Sequence, residues 1–311
     1  MKSATVLGGS GFIGSACVAA LQRAGWNARA QPTPRLATSA RSLPELAKEL
    51  PRHKVEIDQL AEALDVADVV INAGGMSTPT AGNSDTLFGA NSLLPGVVAL
   101  AARQAGVFRF VHLSSISVQG RMDPLNETME HRLNSPYSSS RSLGERILEG
   151  PEHDHAVILR LPPVHSASRS NTQMLSRIAH SPFSSTAGRG DRPTPLVLLE
   201  NVCAAVEFLA AYKGQVPKVV LQPTGGITTK RLLELLGDHK PCHIPVSLAK
   251  LITTLLLLAG RRSASIHTLG RRVELMWLGQ RQEPSWLTEA GFDLPVGAEG
   301  WAALGRSLSS R

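Results

Sequence analysis

Two short stretches of this sequence hold residue types at spacings that could do chemistry. Ala4-Thr5-Val6-Leu7 runs into Gly8-Gly9-Ser10-Gly11-Phe12-Ile13-Gly14. An apolar strand, a glycine turn and a helix in that order form a cradle for a dinucleotide phosphate. Gly8 permits the tight turn, Gly11 lets a pyrophosphate approach the backbone, and Gly14 lets the helix pack on the strand. The helix N-terminus then aims free amides and partial positive charge at the phosphates. The second stretch is Ser114-Ser115 followed by Tyr137-Ser138-Ser139-Ser140-Arg141, which reads as an acid/base centre.

The elements that must position these groups alternate along the first half. Strands are predicted at Ala4–Leu7, Asn27–Ala30, Val55–Ile57, Val69–Ile71, Phe108–Leu113 and Val157–Leu161. Helices are predicted at Phe12–Ala24, up to Leu50, at Leu93–Gln104 and at Ser138–Leu148. Such alternation predicts an α/β fold, a parallel sheet doubly wound with helices on both faces. After Pro162-Pro163 the stretch Ser166–Pro195 reads as irregular. Strand and helix signals return at Leu196–Leu199, Val202–Tyr212, Val219–Leu221 and Thr229–Leu236. The expected organisation is a dinucleotide-binding core over residues 1–165. Residues 166–311 then form a mixed segment, part core and part smaller C-terminal substrate-binding lobe.

Composition narrows the function classes. With 42% hydrophobic and 18% charged residues the chain is ordinary for a globular protein. Met1-Lys2-Ser3 leads straight into an apolar strand, without the charged and apolar regions of a secretory signal. The longest apolar run, Leu251 to Ala259, is too short to span a bilayer and reads as a buried helix. Cys17, Cys203 and Cys242 are far apart and odd in number, which fits a reducing cytoplasm. No ligand set for a metal is present; His153-Asp154-His155 and Cys242-His243 stand alone. A net charge of +7 invites an acidic partner, but 4% aromatics and no basic stripe speak against nucleic acid. A phosphate-bearing small substrate accounts for the charge as well.

No acid stands about 20 residues beyond the glycines to hold a ribose 2′-hydroxyl. The second strand ends instead in Gln31-Pro32-Thr33-Pro34-Arg35, and Arg29, Arg35 or Arg41 could accommodate a 2′-phosphate. NAD and NADP both stay open, with a lean toward NADP.

The chain resembles an extended short-chain dehydrogenase/reductase of the NAD-dependent epimerase/dehydratase group. The likeness rests on Gly8, Gly11, Phe12, Ile13 and Gly14, and on Asp58 after the presumed third strand. It also rests on Asn72-Ala73-Gly74-Gly75, Asn91, Ser114–Gly120, Tyr137–Arg141 and Leu159–Val164, with Trp286–Leu304 near the end. The resemblance implies that Asp58 contacts adenine and that Ala73, Gly74 and Gly75 wrap the ribose and phosphates. Pro162 and Val164 would pack near the nicotinamide. It further implies hydride transfer at a carbinol or carbonyl, with Tyr137 as general acid/base and Ser115 bonding the reacting oxygen.

Tyrosine has a free pKa of about 10, so its phenolate needs a neighbouring cation. The group supplies a lysine, which also binds the nicotinamide ribose; Arg141 takes its place here. Arginine keeps the charge in a larger, planar, forked head. A working variant centre, a slowed enzyme and a fold without its redox step all remain open.

The resemblance also implies a nucleotide sugar as substrate, held by the C-terminal lobe. His165, Arg169, Asn171, Arg177, Arg189, Arg192 and Arg281 are the candidates, and arginines suit a diphosphate through paired hydrogen bonds. The expected function is a reductase or epimerase on such a sugar. The alternatives are a dinucleotide sensor or scaffold and a redox-neutral biosynthetic enzyme. Pairing of copies through Leu93–Gln104 and Ser138–Leu148 would make a homodimer.

Overall fold

The computed structural model describes residues 2–77, 82–237 and 239–309. Its centre is a six-stranded parallel sheet with the strands in the order Asn27–Gln31, Ser3–Leu7, Val69–Asn72, Arg109–Ser115, Ala156–Leu161, Val219–Leu221. The chain runs β1 (Ser3–Leu7), α1 (Phe12–Arg23), β2 (Asn27–Gln31), α2 (Leu43–Glu49), α3 (Lys54–Leu64) and β3 (Val69–Asn72). It continues through α4 (Asp85–Phe88), α5 (Leu94–Gln104), β4 (Arg109–Ser115), α6 (Pro136–Ile147), β5 (Ala156–Leu161) and β6 (Val164–His165). Then come α7 (Ser170–Ala179), β7 (Ser185–Ala187), β8 (Val197–Leu198), α8 (Leu199–Ala211), β9 (Val219–Leu221) and α9 (Thr229–Leu236). The last elements are β10 (Cys242–Ile244), α10 (Val246–Ala259), α11 (Ala264–Leu278), α12 (Trp286–Glu289) and α13 (Ala298–Ser309).

β3, β4 and β5 are covered on both faces, and their residues are buried almost throughout. One face packs against α3, α5 and α6 through residues such as Leu60, Val97 and Ile147. The other packs against α1 and α8 through Cys17, Leu21, Val202 and Val206. A third cluster joins α7, α9 and α13 around Leu232, Leu233 and Trp301. The six parallel strands with helices on both faces are the doubly wound fold that the alternating pattern predicts.

Several expectations are corrected. Val55–Ile57 is not a strand: residues 54–64 form α3, and the sheet ends at β2. Ile57, Leu60, Ala61 and Leu64 are its buried residues, a helical stripe that overrides the short strand-like run. The irregular stretch after Pro163 contains α7 and β7. Helices α5 and α6 are packed within the chain, with eight of the 11 residues of α5 buried. The segment from β2 to α3 crosses over them and sets Leu50 against Gly96 and Ile147. Cys17 and Cys203, distant in sequence, meet between α1 and α8 with sulfurs 3.8 Å apart. Finally, the apolar run of residues 251–259 is helical but not buried: of the 14 residues of α10, only Ala249 and Thr253 are buried.

Candidate active site

The glycine turn has the close packing that its sequence requires. Gly8 has φ +71° and a Cβ there would lie 2.8 Å from the Gly74 nitrogen. A Cβ on Gly14 would come 2.2 Å from the Gly8 carbonyl oxygen, so the helix rests directly on the turn. Above Gly11, by contrast, a Cβ would meet only the Gly8 carbonyl oxygen, at 3.2 Å. Gly11 is the N-cap of α1, with no side-chain cap and no acid in the first turn. The first amides of the helix therefore face an open approach, as an anion requires. Arg169 adds a cation, its guanidinium carbon 4.5 Å from the centre of the Phe12 ring.

From this turn a cleft of about 1050 Å³ runs along the C-terminal edge of the sheet. Ile13 and Ala73 line one end, Ser115, Tyr137, Arg141, Pro162 and Val164 its middle, and His165, Asn171 and Arg169 the lobe side. Each catalytic candidate has a local reason for its place. Ser115 ends β4 and caps the short 3₁₀ turn after it; its Oγ accepts the Ser117 amide at 3.2 Å, leaving the hydroxyl proton free to donate. Ser135 and Ser138 form a reciprocal capping box that starts α6, with Pro136 in its first turn. Tyr137 therefore falls in the first turn, and Arg141, four residues on, lies on the same face.

The Arg141 guanidinium is 5.6 Å from the Tyr137 ring centroid, and its Nη1 donates to the Leu113 carbonyl at 3.1 Å. Its Nη2 lies against Gly75, where a Cβ would come within 2.7 Å. Arg141 is buried, and among the described residues its Nε has no partner. Asn91 bonds both the amide and the carbonyl of Met76 and the Ser140 hydroxyl, tying the loop after β3 to α6. Asn72 accepts the Gly74 amide at 3.0 Å and lies 3.2 Å from His112 Nδ1.

Beneath the cleft is a buried charged cluster that the motifs did not reveal. Glu145 receives Arg160 Nη2 at 2.7 Å, the Ser114 hydroxyl at 2.5 Å and His131 Nε2 at 2.9 Å. Burial alone would raise the Glu145 carboxyl, but the Arg160 charge and these bonds outweigh it and hold it at about 2. Neighbouring His112 is pushed down to about 3 by burial, with the Arg141 charge adding to the effect. His165 is pushed down to about 4 by burial and the charges of Arg169 and Arg272, and its Nδ1 lies 3.1 Å from Thr172 Oγ1.

Other predicted residues lie elsewhere. Asp58 sits on α3, bonded to Lys54 at 2.8 Å and to Gln104 at 3.1 Å. Gln104 ends α5 just before β4 begins, so Asp58 lies by the edge opposite the glycine turn and is not an adenine contact. Arg29 bonds Thr5 and the Ala63 carbonyl, and Arg41 pairs with Asp85. Arg35 remains exposed on the segment leaving β2. That segment packs closely, with the Thr33 methyl against Gly74 and the Leu36 carbonyl against Gly89. Arg192 and Arg281 both pair with Asp123, at 2.8 and 3.3 Å, outside the cleft wall. In their place α11 contributes His267 and Arg272, with Arg262 just before it. In the sequence Arg262 and Arg272 each stand in a local arginine pair, with Arg261 and Arg271, while His267 carries no such signal.

The residues present fit a dinucleotide at the pyrophosphate, through the open Gly11 and the α1 amides, and along the cleft from Ala73 to Val164. On the adenosine side it would meet residues 32–36 in place of an acid.

A family model for the NAD dependent epimerase/dehydratase family matches residues 4–211. The chain belongs to that family. Among solved structures it is similar to UDP-glucuronic acid 4-epimerase from Bacillus cereus in complex with UDP-glucuronic acid and NAD. The identity is 15%, the TM-score 0.63, and 99% of each chain is covered. It is similar to dTDP-4-dehydrorhamnose reductase from Bacillus anthracis in complex with NADP, at 12% identity, TM-score 0.63 and 99% of each chain. TunA, an NAD-dependent NDP-hexosamine 5,6-dehydratase of tunicamycin biosynthesis, aligns at 16% identity and TM-score 0.65 over 100% of this chain and 99% of its own. At these identities the likeness establishes the fold. A search of curated protein sequences finds no match.

Proposed function

We propose that this chain is a nicotinamide-dinucleotide-dependent oxidoreductase acting on a nucleotide-activated sugar, as a 4-ketoreductase or an epimerase, with a lean to NADP from Arg35. The observation that carries this reading is the single cleft that holds Ser115, Tyr137 and Arg141 beside the α1 N-terminus. A bound nicotinamide supplies the carbon that gives or takes hydride. Tyr137 exchanges a proton with the sugar hydroxyl or keto oxygen, and Ser115 donates to the same oxygen through the proton its own bonding leaves free. Arg141 holds positive charge beside the Tyr137 ring. Arg262 and Arg272 offer guanidinium groups to a substrate diphosphate, and Asn171 and His267 offer polar atoms to the sugar. Similar folds that carry UDP-glucuronic acid with NAD, or NADP, support this reading. The three free cysteines suit a reducing compartment such as the cytoplasm.

The test is turnover of NADPH with 4-keto sugar nucleotides, and interconversion of UDP-sugars without net cofactor use. Tyr137→Phe is expected to lower whichever rate is found by about 100-fold or more, with dinucleotide binding intact. Full activity in that variant would remove Tyr137 from the chemistry.

One observation favours a second reading, a dinucleotide-binding protein without hydride transfer. The Arg141 guanidinium is engaged by the Leu113 carbonyl and Gly75, so it is less free than a lysine ammonium to bond a ribose. That reading expects tight dinucleotide binding, no turnover on any sugar nucleotide, and no gain from Arg141→Lys.

A further inference from the structure

We propose that the α10–α11 hairpin docks on an anionic lipid surface. Residues 248, 251, 255 and 258 recur at spacings of three and four, so they form one stripe along α10. All four are leucines and all are exposed, Leu251 by 56% and Leu255 by 57%. The stripe is not the packing face of the hairpin. Gly270 of α11 meets Leu256 and Leu257, and Ala249 and Thr253 are buried. Ile266 and Leu269 of α11 are exposed as well, at 38% and 48%. An apolar surface of this extent on a soluble fold marks a partner.

Charge identifies the partner. Residues 246–278 contain five basic residues, Lys250, Arg261, Arg262, Arg271 and Arg272, against one acid, Glu274, which pairs with Arg271. Lys250, Arg262 and Arg272 are exposed. An exposed apolar stripe on a hairpin with a basic excess is the pattern of a helix lying in the headgroup region of an anionic membrane. A second copy meeting this face across a two-fold axis would set the same cations against each other. At 14 residues α10 is about 21 Å long and falls short of the roughly 30 Å hydrocarbon core, so it lies along the surface. Leu269 is exposed and also lines the cleft. Docking therefore brings the mouth of the cleft to the membrane.

The test is co-sedimentation of the full chain with vesicles of phosphatidylglycerol and phosphatidylethanolamine, compared with phosphatidylcholine alone. The expected result is binding to the anionic vesicles and much weaker binding to the neutral ones. The pair Leu251→Gln and Leu255→Gln should lower vesicle affinity about tenfold or more, and Lys250→Glu should lower it on anionic vesicles only. Both variants change exposed residues outside the cleft, so the circular dichroism spectrum and melting temperature should stay those of the parent. Absence of vesicle binding, or equal binding by the double variant, would overturn the proposal. So would a dimer in sedimentation equilibrium that the leucine pair breaks while no vesicle binding is seen, because the face would then belong to a second copy.

Discussion

Arg141 stands one helical turn beyond Tyr137 on α6 and directs its guanidinium to the Leu113 carbonyl, 3.1 Å away, with its carbon 5.6 Å from the tyrosine ring centroid. The charge sits beside the ring, in the place where the family resemblance expects an ammonium. Removing it should leave the Tyr137 ring without a neighbouring cation. Arg141→Ala is therefore expected to lower turnover about 100-fold or more at neutral pH. Arg141→Lys, which restores a cation, should stay within about tenfold of the parent. Rates of both variants across pH 6 to 10 give the check, and equal rates for Ala and Lys would show that the charge is not used.

Glu145 and Arg160 are both fully buried and joined at 2.7 Å. Breaking a buried pair by removing one charge costs about 3–5 kcal/mol, because the other is left uncompensated. Glu145→Gln should lower the unfolding free energy in urea by that amount. The Glu145 carboxyl is held at about 2, whereas in the unfolded chain it titrates near 4.3. A depressed native pKa adds stability above the unfolded value and loses it as pH falls from about 4.3 toward 2. Glu145→Gln should flatten that part of the stability curve, which a series of urea titrations at acid pH would show.

What the sequence disclosed was what is local. The turn at Gly8 to Gly14 is set by neighbouring residues, and the placing of Arg141 relative to Tyr137 follows from helical period alone. Asp58 was misplaced because Val55 and Ile57 alternate like a strand, although Leu60, Ala61 and Leu64 continue a helical stripe. Arg192 and Arg281 read as diphosphate ligands because Asp123, which pairs with both, lies 69 and 158 residues away in the chain. The exposure of α10 was hidden for a related reason. Composition shows that a run is apolar, while only the tertiary fold shows what covers it.

Arg169 lies over the Phe12 ring at the first residue of α1, where the helix amides are open. A cation there strengthens the attraction of that terminus for a phosphate. Arg169→Ala should weaken dinucleotide binding about tenfold, and the loss should shrink as salt is raised, since screening already weakens the parent. Fluorescence titration with NADPH at low and high ionic strength would measure both effects. An unchanged affinity at low salt would place Arg169 outside the phosphate site.

Acid should begin to destabilise the protein well above the carboxylate range, and the histidines give the reason. His112 is buried and held down to about 3, and His165 to about 4. Both titrate near 6.5 once unfolded. Between pH 6.5 and these values the unfolded chain binds protons that the native protein refuses, so stability falls as pH falls through that window. For His112 the full effect is on the order of 5 kcal/mol. His112→Gln keeps a polar group near Asn72 but cannot titrate. It should cost some stability at pH 7.5 and lose less than the parent between pH 6.5 and 4. Thermal melts over that range would test the point, and parallel curves for parent and variant would show that His112 does not drive the acid loss.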